Sequence, residues 1–228
     1  LNLDYENWKD RDVEPMTTPR PGHADLTGAI KYGHSDLRLS LERASARETA
    51  VRVAIGSILN QMLENFGLVI GGYVHSIGDV EANLDVNADT GEFQARLKAA
   101  KNSPMSCTSQ ETEKEMKGAI ETATKKGETL GGVFEIVALN VPPGLGSYTQ
   151  GDRRIEARLA GAMMGIKAIK GVEIGPAFEN AKMLGRSVQD EIYLADEGQL
   201  ARAGNRSGGT EGGITTGEPI VIRAAMKP

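Results

Sequence analysis

The sequence predicts a layered α+β fold, with residues 1–228 as a single domain. Two long stretches carry helical periodicity, and each is followed by an apolar, glycine-flanked segment of strand character. Helices and strands interleave without the βαβ rhythm of a parallel sheet, and no linker divides the chain. With 228 residues the chain can bury a sizeable core.

Residues 1–22 hold Trp8 and three prolines among mixed charges and predict an irregular segment. From residue 42, "ERASARETAVRVAIGSILNQMLENFG" predicts a long helix. Ala46, Ala50, Ala54, Ile58, Met62 and Phe66 recur every four residues, and Val53, Leu59 and Leu63 widen the stripe. Ser45 and Glu48 form an S-x-x-E capping box at its start, and Gly67 suits its end. "LVIGGYVHSIGDV" then reads as a strand closely approached by other backbone.

Residues 81–110 are polar, with one short helix at "GEFQARLKAA". An amphipathic helix begins near Thr112 and aligns Met116, Ile120 and Ala123. "GGVFEIVALNV", 131–141, reads as a strand. After the turn-rich "PPGLGSYTQGD", the segment "RRIEARLAGAMMGIKAIK" predicts a helix on Ile155, Leu159, Met163 and Ile166, closed by Gly171. The glycine-rich "GNRSGGTEGGITTGE", 204–218, leads to a final strand, "PIVIRAAM".

A net charge of −5 argues against nucleic acid as the main partner. It leaves room for a local cationic pocket. The single cysteine, Cys107, forms no intrachain disulfide, so a reducing compartment is expected. No apolar run is long enough to span a bilayer, and the chain reads as soluble and cytoplasmic, with no membrane partner. A leucine at residue 1 and a last residue just after a strand-like segment predict a fragment.

Several features can carry chemistry. Arg43 beside the Ser45 cap would place a cation near the free N–H groups of a helix start, where phosphate binds, although capping alone explains Ser45 and Glu48. The 204–218 loop reads first as a flexible surface loop. Yet Asn205, Arg206, Ser207, Thr210 and Glu211 set it apart from a linker, and its glycines would let backbone amides touch a ligand. It matches no P-loop or dinucleotide fingerprint. His34 reads as a loop residue and His75 as a strand residue. Neither has metal-ligand spacing, so no metal site is expected. His23, in "RPGHADL", sits in a Pro-Gly turn beside Arg20 and Asp25, either as part of a polar loop or as an acid–base group.

Three blocks in order, "RPGHADLTGAIKYGHSDLRLSLERASARETA", "GDRRIEARLAGAMMGIKAIKGVEIGPAF" and "NRSGGTEGGITTGEPIVIRAAMKP", strongly resemble the chorismate synthase family. The resemblance runs from about residue 15 to the last residue and is diffuse over 81–125. It implies a β-α-β sandwich, a homotetramer when full length, and a shikimate-pathway lyase. That lyase converts 5-enolpyruvylshikimate 3-phosphate to chorismate by 1,4-elimination of phosphate, with reduced FMN required although no net redox change occurs. NADP and a separate flavin reductase enter as sources of the flavin's electrons, and no motif here decides between them.

Carried onto this chain, the resemblance gives His23 control of the reduced flavin's protonation and Arg20 a grip on the anionic substrate. The family's R-A-S segment falls on Arg43, Ala44 and Ser45, with Ser45 also a catalytic candidate. Lys167-Ala168, near the middle of the second long helix, matches a flavin-contacting dipeptide whose first position is commonly glutamine or asparagine. Gly212 matches the flavin-contacting glycine, and Lys227-Pro228 opens a further flavin segment. The family's G-E-S-H-G motif, with its second catalytic histidine, does not occur here. The chain is therefore expected to be the central part of the enzyme and inactive alone. A non-catalytic flavin- or phospholigand-binding remnant, or a purely structural one, is the alternative.

Overall fold

The structure, a computed structural model, describes residues 14–44, 47–195, 198 and 200–228. They fall into two compact units that meet in sequence at Gly56 and Ser57.

In the first unit, helix α1 (Asp25–Tyr32) packs on α2 (Arg38–Ala44). They come closest at Gly28, where a Cβ would lie 2.6 Å from the Ser40 hydroxyl. Asp36 accepts hydrogen bonds from the Arg38 backbone and guanidinium and from the Met16 amide, while Leu37 N donates to Met16 O. The turn before α2 is thereby tied to the extended segment at residues 14–16. Where a long helix is expected from residue 42, the described residues hold α2 up to Ala44 and α3 (Arg47–Glu64). The Ser45 cap and Ala46 lie outside the described residues. Apart from Leu63, which is half-buried, the rest of the expected stripe on α3 is solvent-exposed: Ile58 is 68% and Phe66, just past the helix, 73% exposed. No described residue covers it.

The second unit is built on a five-stranded antiparallel sheet. Its strands are β1 (Val69–Ile77), β2 (Val80–Glu81), β3 (Gly132–Leu139), β4 (Ile169–Ile174) and, last in the chain, β9 (Ile220–Met226). They lie in the order β2-β1-β3-β9-β4. The glycine-flanked segments that follow the two long periodic stretches are thus strands of one sheet, and the fold is α+β as expected. Two helices fill the polar stretch after β2: α4 (Thr90–Asn102), capped by the Asp89 carboxylate on Glu92 N, and α5 (Gln110–Lys125), capped by Ser109 on Thr112 N. On α5, Met116 and Ala123 are buried as predicted, whereas Ile120 is partly exposed. None of the described helices is long and apolar enough to cross a membrane.

Side-chain alternation gives the sheet two apolar faces. On one, Tyr73, Val137, Leu139 and Val221 pack with Phe93, Leu97 and Ala100 of α4. On the other, Ile136, Ile222, Ala224 and Val172 pack with Leu159 and Met163 of α6 (Ile155–Met164). The helix expected to run through residue 170 ends at Met164. Ile169 onward pairs with β9, and Gly171, expected to close the helix, lies in β4 beside a register shift. Burying Val172 and Ile174 between β9 and α6 outweighs the helical continuation of the sequence.

The glycine-rich stretch is a knitted hairpin rather than a flexible loop. It holds β7 (Thr210–Glu211) and β8 (Ile214–Thr215), numbered after a short ribbon of β5 (Ile192–Leu194) and β6 (Leu200–Arg202). Asn205, 5% exposed, donates to Pro219 O and accepts from Gly209 N. Both Asp190 oxygens accept backbone N–H bonds, from Arg206 and Ser207. Gly209 has φ +80°, and a Cβ there would come within 2.4 Å of Pro219 O. The composition that reads as loose in fact serves close backbone contact.

One polar row crosses the sheet. Tyr73, Glu135, Arg223 and Glu173 are direct cross-strand partners on β1, β3, β9 and β4. The Tyr73 hydroxyl donates to Glu135, Arg223 Nε donates to the other Glu135 oxygen at 2.6 Å, and Arg223 Nη1 lies 3.7 Å from Glu173. Glu135 is 1% exposed. Burial, then the Glu135 charge, raises the Tyr73 phenol above its ordinary pKa, so it stays a donor. Removing one partner of a buried pair leaves a charge uncompensated. Glu135→Ala should therefore cost about 3–5 kcal/mol, and Glu135→Leu combined with Arg223→Met should recover most of that loss; urea unfolding of the three proteins measures both.

Candidate functional site

Residues 20–26 form a tight turn into α1. Pro21 fixes one dihedral, Gly22 takes φ +70°, and α1 starts at Asp25. His23 is exposed, and its Nδ1 lies 2.8 Å from Pro21 O. A carbonyl only accepts, so Nδ1 carries the proton and donates. In the tautomer with Nδ1–H the ring's lone pair lies on Nε2. Nε2 has no partner among the described residues.

Arg20 and Asp25 close the same loop. Arg20 Nε and Nη2 donate to the two Asp25 oxygens at 2.9 and 3.0 Å, and the Arg20 backbone amide adds a bond at 3.1 Å. The guanidinium's hydrogen bonds hold the Asp25 carboxyl down to about 2, and Asp25 raises Arg20 in turn. Asp36 is likewise lowered to about 2 by its bonds from Arg38. Asp25 stands in the R-P-G-H-A-D motif, and its bonding to Arg20 needs the turn geometry to be seen.

Arg43, exposed, and Ala44 end α2, while Ser45 lies outside the described residues. In the second unit, Lys167 and Ala168 are not within a helix as expected but in the turn between α6 and β4. Ala168 has φ +67°, and its carbonyl accepts from Lys227 N at 3.0 Å. The structure therefore brings two separately identified segments, Lys167-Ala168 and Lys227-Pro228, into contact.

Gly212 stands apart from them. It lies in the β7–β8 turn, whose Gly213 accepts from Ile155 N and donates to Glu156, at the opposite end of α6 from Lys167. Ten residues of helix, about 15 Å, separate those two ends. Gly212 has φ +59° and nothing within 4 Å of where a Cβ would start, an open backbone face.

The other histidines are accounted for locally. His34 bonds Ser40 Oγ through Nδ1 at 3.0 Å and stacks on Tyr32. His75 is buried in β1, with Nε2 2.8 Å from Glu81.

Fold and loop together define an α+β protein with an exposed histidine and an arginine–carboxylate pair in one turn. The chain belongs to the chorismate synthase family, whose profile matches residues 1–228. It is 51% identical over 240 residues to the chorismate synthase of Aquifex aeolicus and 49% identical over 236 residues to that of Desulforamulus reducens. Each alignment covers 100% of this chain and 60% of the relative. A solved structure titled "Crystal Structure of Chorismate Synthase" superposes with a TM-score of 0.86 at 51% identity, covering 90% of this chain and 63% of that one. The chain thus spans about 60% of the length of the curated relatives it matches.

The lowered carboxyls make stability pH-dependent. Asp25 and Asp36 have folded values of about 2 against an ordinary 3.8, so their contribution is present above 3.8 and is lost as pH falls through about 2. The urea midpoint should fall over that acid range. In Asp25→Asn it should be lower at neutral pH, with a shallower acid slope.

Proposed function

We propose that this chain carries the flavin-side acid–base histidine and the substrate-facing arginine of an FMN-dependent chorismate synthase, as the central part of one larger domain. The reaction is the 1,4-elimination of phosphate from 5-enolpyruvylshikimate 3-phosphate. One observation carries this reading: in a chain matched along its whole length by the family, the 20–26 loop holds an oxyanion-suited guanidinium and a histidine with an open Nε2. The proposed setting is a cytoplasmic homotetramer, with the flavin's electrons drawn from reduced NADP or a flavin reductase.

Taken one at a time, the residues present suit parts of a flavin mononucleotide: in the second unit Gly212 offers open backbone against which a planar ring can lie, and in the first unit Arg43 is an exposed cation of the kind that meets phosphate. Arg43, Ala44 and Ser45 in one unit, and Lys167, Ala168, Gly212, Lys227 and Pro228 in the other, are the proposed contacts. Reduced FMN, when bound, supplies electron density to the allylic system so that phosphate can depart. His23 would do the proton work: with Nδ1 tied to Pro21 O, its Nε2 would give or hold the proton that sets the charge of the reduced cofactor. Arg20 binds an anionic group of the substrate. Ser45, the other catalytic candidate, is proposed on the R-A-S match alone.

The test replaces the matching 60% of the Aquifex aeolicus relative with this chain. Mixed anaerobically with reduced FMN and 5-enolpyruvylshikimate 3-phosphate, the folded chimera should release phosphate and chorismate in equal amounts. His23→Ala should cut the rate about 10²–10⁴-fold while FMN still binds. A folded chimera that binds FMN and releases no phosphate would sink the assignment.

A further inference from the structure

Asp25 has no exposed surface, although Pro21, Gly22, His23 and Ala24 before it are all exposed. A carboxylate is driven out of such a position unless it is paired, and among the described residues Arg20 alone supplies its bonds. The turn itself needs only the Arg20 backbone amide on Oδ2. The guanidinium adds two parallel bonds, and these fix a planar group rather than a chain direction.

The donor count shows what that orientation leaves over. A guanidinium has five N–H donors in one plane. Asp25 takes Nε–H and one hydrogen of Nη2, which form one edge. Both Nη1 hydrogens and the second on Nη2 remain on the other edges. No described residue accepts them, and the side chain is 44% exposed. The free Nη1/Nη2 edge has the spacing that matches two oxygens of a carboxylate or phosphate.

We propose that Asp25 is a positioning residue: by holding the Nε/Nη2 edge of Arg20, it turns the Nη1/Nη2 edge outward as a preformed fork for an oxyanion. This rests on the reading of Arg20 as the substrate-facing arginine, and it adds which edge binds and what aims it. The same bonds close the loop that carries His23, so the fork and the open Nε2 are held in one short frame. An arginine aimed only by the ligand would have to lose its side-chain freedom on binding. An arginine already clamped has lost it in the folded state.

The test is a nitrogen-15 NMR titration of the 228-residue chain, with the Arg20 guanidinium signals assigned by their loss in Arg20→Lys. The expected Arg20 Nε–H exchanges slowly with water, and inorganic phosphate moves the Nη signals while leaving Nε in place. In Asp25→Asn, phosphate affinity should fall by about tenfold or more, the worth of a charge-assisted bond, and Asp25→Glu should recover part of it. Acetate run in parallel tells a carboxylate fork from a phosphate fork, and a response to either supports the proposal. Arg20 Nη signals that move with neither anion overturn it, and that arm needs only the wild-type chain. So does an Asp25→Asn protein that binds as tightly as wild type. A chimera that fails to release phosphate would remove the lyase reading and leave these titrations standing, so the two failures are distinguishable.

Discussion

The second unit depends on the buried pair between Glu135 and Arg223. Strands pair with a side-chain period of two, so a slip by one residue would send every apolar side chain to the wrong face. A carboxylate with 1% exposure, joined to Tyr73 on one side and Arg223 on the other, makes such a slip prohibitive on three strands at once. With that register held, Val137 and Leu139 meet α4, and Ile222 and Ala224 meet α6. The end of β9 is then placed so that Lys227 reaches Ala168.

The first unit uses the same device toward a different end. Asp25 is as buried as Glu135 and likewise paired with arginine, but Arg223 is largely enclosed while Arg20 keeps nearly half its side chain in solvent. Enclosed, the pair specifies packing. Half-exposed, it leaves donors over for something that arrives from outside. The contrast separates an enclosed ion pair from one with an open edge by geometry alone.

The sequence made legible whatever local pattern decides. The spacing of Met116, Ile120 and Ala123 placed the start of α5 to within two residues, and the β-branched runs located β1, β3 and β9. Its errors fall where distant contacts win. "GIKAIK" continues a helical period, yet Ile169 is claimed by β9. Alanine rarely takes a left-handed backbone, so nothing local announces the turn at Ala168. The glycines of 204–218 looked loose because their partners, Asp190 and Pro219, are not part of the glycine pattern. For the site, the motif named Arg20 and His23, but neither the proton-bearing nitrogen nor the bonding of Asp25 can be read without coordinates. The row from Tyr73 to Glu173 needs the register of four strands and has no one-dimensional signature.

The left-handed turn at Ala168 also bears on the order in which the chain takes shape. Its conformation costs about 1–2 kcal/mol for an L-residue and is held by a bond from Lys227, at the far end of the last strand of the sheet. Contacts between segments so distant in sequence close late, after the loops between them have lost their freedom. The sheet can form its β1–β2 hairpin early, whereas Ala168 must wait for β9. The contact between Lys167-Ala168 and Lys227-Pro228 is thus among the late ones to settle, and a change that slows β9 pairing would delay it as well.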